Sequence, residues 1–378
     1  MGNIYSSATQ VLVWLGPSQD DSDELMEAWQ GIGQKAQEFG LESYMNPQSY
    51  YLISALARGK EPSDETAVSF QSLLSSTVEV FAPLLKGMAL KKWFERPYFS
   101  RVWIIQEFCL CPDTIFVCGS KTIPVDFVKF AVLLLQTVIG NMPQGDYEQL
   151  QPPEMPLERL SEVSSEPTAR LFGCRSRHQK HKDDELYMLL RRLFVELETN
   201  ATVHRDRIFA LLGLAADAEK LGIQPDYEGS TERVLTQTAR TLIEKSGRVD
   251  LLCYSQFPKL DELSHLPSWV PDWRSNLSRS FYTINERMDK HLFSASGHDG
   301  VVEVMQHPND NPDILGLRGY AVDVIEEVAE AGDWTDMNWD YERYLSYGAH
   351  IDELCQKSME KTSMIHGEVT QQRKAEAQ

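Results

Sequence analysis

The sequence predicts a mixed α/β chain, with a short-stranded α/β portion followed by a mostly helical region carrying short β-strands. Three observations predict it. Val11 to Leu15 and Thr114 to Cys118 are short apolar runs, each closed by a glycine, as buried strands are. Longer segments between and after them space their apolar residues three and four apart, as helices packed on one face do. Residues 141–168 are rich in Pro, Gln, Glu and Ser, a linker composition. The organisation that follows is an α/β portion over 1–140, a linker over 141–168, a helical and mixed region over 169–355, and a polar tail over 356–378.

The opening residues read as helix running into the strand Val11 to Leu15, which Gly16 and Pro17 end. Asp20 to Ser22 supplies capping side chains for a helix through Leu25, Met26 and Trp29. Tyr50 to Leu56 is the strong apolar patch of an otherwise polar stretch, and helices are expected over Val68 to Leu85 and Leu90 to Phe94. Pro97 breaks the run, and Ser100 is expected to cap a helix over Arg101 to Leu110, ended by Pro112. Thr114 to Cys118 is expected to turn at Gly119 and pair back with Ile123 to Val125, ahead of a helix over Asp126 to Ile139. Further helices are expected over Asp184 to Glu198, Arg205 to Ala215 and Ser230 to Lys245. Leu251 to Tyr254 reads as a strand, residues 256–280 as a compact irregular segment, and Asp313 to Val328 as two short strands.

Hydrophobic residues are 42% of the 378 and aromatics 10%, enough for a core and against wholesale disorder. A net charge of -20 repels phosphate backbones and disfavours nucleic-acid binding. Phe127 to Ile139, the longest apolar run, is interrupted by Lys129 and Gln136 and is too short to span a bilayer. Six cysteines without framework spacing suit a reducing, cytoplasmic compartment, and the N-terminus lacks the basic segment of a signal peptide.

Trp103 and Glu107 are four residues apart and share a helix face, with Arg101 and Gln106 beside them. A ring at that spacing can stack a substrate, while the carboxylate stabilises an oxocarbenium-like ribose or polarises its hydroxyls. The same spacing is more often an amphipathic helix with an ion pair. Cys174, His178, His181 and His204 have ligand-like chemistry, but Arg175, Arg177, Lys180 and Lys182 oppose a divalent ion. No metal is expected there, and the stretch reads as a basic surface segment before a helix. Cys109 and Cys111 form C-x-C, not a C-x-x-C redox motif, and read as buried thiols. Asp272, between Pro271 and Trp273, reads as a turn or capping residue. Nucleotide-binding glycine motifs and the hydrolase elbow are absent, so no cofactor is expected.

An ordered series of segments resembles the fungal heterokaryon-incompatibility (HET) domain family. Ile4, Tyr5, Ala8 and Val11 to Gly16 resemble its "IYxxAxxVxVWLG" block, and Arg96 to Glu107 its "RPWFxRxWxxQE" block. Asp206 to Ala215 resembles the "DRxYALLGLA" segment that follows the domain. Pro225 to Tyr227, Leu266 to Trp273 and Leu315 to Ile325 match in the same order. The family's opening "LSYxWG" and "WIDAICINQ" blocks do not appear, so residues 1–140 are expected to be the C-terminal portion of the domain. The resemblance implies non-self recognition and programmed cell death. It also implies a partial TIR-like (flavodoxin-like) α/β fold, since HET domains are similar to Toll/interleukin-1-receptor domains. Some of those cleave NAD with one glutamate that follows a Trp on a helix. By that likeness Glu107 is the catalytic candidate, with Trp103, Gln106 and Arg101, and NAD is a substrate rather than a cofactor. Without the opening blocks, half of the expected crevice is missing. The reading is therefore an interaction or regulatory protein with a protein partner or self-association. The alternatives are an NAD-cleaving hydrolase, inactive in this form, and a non-functional remnant. The strand at Val11 is expected to leave an unpaired edge that an oligomer can complete.

Overall fold

Three strands organise the first part of the chain: β1 (Val11–Trp14), β2 (Thr114–Cys118) and β3 (Lys121–Pro124), in the order β1-β2-β3. The computed structural model describes residues 2–45, 50–57, 65–86, 89–141, 167–195, 203–257, 259–275, 277–278, 304–305, 311–318, 349 and 353. Met1–Arg318 forms one compact unit and Gly319–Gln378 another, and all described residues but 349 and 353 lie in the first.

β1 runs parallel to β2, with Val11 opposite Thr114 and Trp14 opposite Val117. β2 turns at Gly119 and pairs antiparallel with β3, Phe116 opposite Ile123. A glycine is needed at that turn: φ is +56°, and an added Cβ would lie 3.1 Å from the Ser18 nitrogen. Strand alternation sends Thr114, Phe116 and Cys118 of β2, and Val11 and Val13 of β1, into the core. The alternate side chains of β1, Leu12 and Trp14, are 63% and 57% exposed.

A parallel pair needs a long crossover. It contains α2 (Ser22–Phe39), α3 (Tyr50–Ala57), α4 (Glu65–Lys86), α5 (Ala89–Phe94) and α6 (Ile104–Leu110), while α1 (Gly2–Ser6) precedes β1. α7 (Val125–Asn141) follows β3 and crosses α2 closely. Gly33 permits that crossing, since a Cβ there would meet the Phe127 Cβ at 2.3 Å. Trp29, Phe70, Phe81 and Phe116 are fully buried in a continuous apolar core, Trp29 lying 5.0 Å from the Phe81 ring.

Farther along lie α8 (Pro167–Lys180), α9 (Leu186–Phe194), α10 (Asp206–Phe209), α11 (Ala218–Leu221) and α12 (Thr231–Ser246). Ser230 caps α12 by accepting the Arg233 N–H at 3.3 Å, and Gly247 closes it at φ 65°. β4 (Val304–Met305) pairs antiparallel with β5 (Gly316–Leu317). The described architecture is mixed α/β, mainly helical, with few short strands. None of the described helices is long and apolar enough to cross a membrane.

Several expectations are corrected. The helix expected from Arg101 begins at Ile104, because Arg101 is extended (φ -86°, ψ 132°) and Ser100 belongs to a 3-10 turn over Pro97–Ser100. Trp103 therefore stands at the helix N-cap rather than inside the helix. Leu251 to Tyr254 is part of a 3-10 helix, Val249–Tyr254, that buries Leu251 and Tyr254 three residues apart; so short an apolar run does not reveal its period. The helix expected over Arg205 to Ala215 is one α-turn followed by turns. The supposed basic surface stretch is α8 itself, with Cys174, Arg175 and His178 buried. Most of the linker over 141–168, the tail over 356–378 and the strand beyond Arg318 lie outside the described residues.

Candidate functional site

The residues singled out around α6 divide into two groups. Trp103 and Gln106 face the segment after α9. The Trp103 indole N–H donates to Asp206 Oδ2 at 2.8 Å, across 103 residues of sequence. Asp206 Oδ1 accepts the Tyr227 hydroxyl at 2.9 Å, so one carboxylate joins α6 to the loop before α12. Gln106 is 3% exposed, and its Nε2 donates to the Ala210 carbonyl at 2.8 Å. Its Oε1 has no partner among the described residues. Gly213 packs closely beside it, a Cβ there lying 3.0 Å from Gln106 Nε2.

Glu107 and Arg101 belong to the other group. Glu107 is half-buried and lies close enough to Tyr5 of α1, the helix that packs on α6, for its charge to act on the phenol. Burial first, and then the Glu107 charge, raise the Tyr5 pKa; exposed Arg101 pulls it down. Tyr98 is raised further, again by burial and then by Glu107. The carboxylate, two phenols and a guanidinium thus lie within electrostatic reach of one another, a grouping of the kind that can steady a cationic centre.

The C-terminal end of α6 is held by a side chain that sequence reasoning took for surface. Arg175 of α8 is 4% exposed. It donates to the carbonyls of Phe108, Cys111 (2.8 Å) and Pro112 (2.6 Å) and to Thr114 Oγ1 (3.1 Å). Gln179 adds a bond to the Cys109 carbonyl at 2.6 Å. These carbonyls are those a helix end leaves without partners, and a guanidinium there also meets the helix dipole. Burial lowers the Arg175 pKa, and Asp126 is the largest opposing influence. Farther along α8, Arg177 reaches the buried Asp184 at 2.6 Å, and Arg192 of α9 reaches the same oxygen.

Cys109, Cys111 and Cys174 are buried free thiols. Asp272 accepts the Arg274 backbone N–H at 3.1 Å, an Asx turn as expected, and its carboxylate also holds the Arg274 guanidinium. Among the described residues no three His, Cys, Asp or Glu side chains converge as metal ligands. Tyr5, Tyr98, Asp206 and Arg175 were not singled out as site residues. Tyr5 and Asp206 lie inside recognisable blocks, whereas nothing local marks Arg175.

Residues 1–107 match the family model described as Heterokaryon incompatibility protein (HET). The chain is 33% identical over 346 residues to "Heterokaryon incompatibility protein 6, OR allele" of Neurospora crassa, which covers 87% of this chain and 48% of that protein. The chain thus spans about half the length of this curated relative. No solved structure matches the chain.

Proposed function

Since the chain belongs to the heterokaryon-incompatibility family, we propose that it acts in fungal non-self recognition and the cell death coupled to it, as a cytoplasmic interaction or regulatory protein. The observation that carries this reading is the fate of Trp103 and Gln106. The ring and the amide that would serve an NAD-cleaving site are bonded to Asp206 and Ala210 and hold the two parts of the chain together. The buried Gln106 amide is thereby committed to the fold, as is the Trp103 indole N–H. Protein contact is also supported by Leu12 and Trp14, which project from β1 into solvent.

A second reading, TIR-like cleavage of NAD, is favoured by the Glu107 carboxylate lying half-buried among Tyr5, Tyr98 and Arg101. One experiment separates the two. Wild type and Glu107→Gln are expressed in a fungal strain, and cell viability after fusion is scored alongside intracellular NAD. The interaction reading expects both forms to provoke incompatibility with NAD unchanged. Loss of NAD with the wild type but not with Glu107→Gln would establish the enzymatic reading instead.

A further inference from the structure

We draw no further inference here: the strongest candidate, the edge of β1 away from β2 with the exposed Leu12 and Trp14 side chains beside it, carries nothing because nothing in the structure shows what covers it.

Discussion

The seam around α6 and the packing along α12 both involve polar groups, but they differ in what those groups do. At the seam Arg175 serves four acceptors, Trp103 and Tyr227 share the two oxygens of Asp206, and Gln106 holds the Ala210 carbonyl. Along α12 the Thr238 hydroxyl and the backbone of Ile223 and Gln224 have no partner among the described residues. Paired polar groups hold elements together, and a buried one left unpaired costs stability. Gln106 Oε1 is the exception at the seam, a buried acceptor left over.

The largest effect is expected at the seam. Arg175→Met keeps the apolar stem but leaves the carbonyls at the end of α6 without donors, and should lower stability by about 4 kcal/mol. Urea denaturation measures this, and a loss below about 1 kcal/mol would mean the guanidinium is dispensable. Trp103→Phe keeps an aromatic ring and removes only the bond to Asp206, so the expected loss is about 1–2 kcal/mol. If it also changed NAD turnover, Trp103 would be more than a strut.

On α12 the expected sign is the opposite. Thr238→Val removes an unpaired buried hydroxyl at nearly constant volume, and should raise stability by about 0.5–1 kcal/mol. A measured loss in the same denaturation assay would show that the hydroxyl has a partner within the fold. The smallest effect concerns His178 on α8, whose Nδ1 has no partner among the described residues. Burial, with Lys182 adding to it and Asp184 opposing, holds its pKa below the usual imidazole value. The unfolded chain therefore takes up protons that the folded chain does not, and this histidine costs stability as pH falls below about 6.5. Melting temperatures at pH 7.5 and 5.5 should differ less in His178→Gln than in the wild type. An identical difference would remove His178 from the account.

Much of this was legible in the residues. The strands at Val11 and Thr114 and the helix capped by Ser230 carry local signals: alternation, β-branching, a capping hydroxyl. The ordered blocks around Ile4, Arg96 and Asp206 carried the family. Misreadings came where the local signal is short or shared. Leu251 to Tyr254 has too few residues to reveal its period, and a lone Ser100 caps nothing when Arg101 is extended. The basic residues of α8 suggested solvent because charge is usually exposed, and nothing near Arg175 advertises carbonyls that lie 63 to 67 residues away.

The types of the longer elements, the net negative charge and the family were determined by the sequence, because each depends on neighbours along the chain or on totals. The commitment of Trp103 and Gln106 to the fold, the setting of Glu107 among Tyr5 and Tyr98, and the burial of Thr238 on α12 were decided by the tertiary structure alone. A hydrogen bond reaching across 103 residues, as from Trp103 to Asp206, leaves no periodicity and no spacing to read. It exists only once the apolar core has brought distant elements together, and its partners are then chosen by geometry.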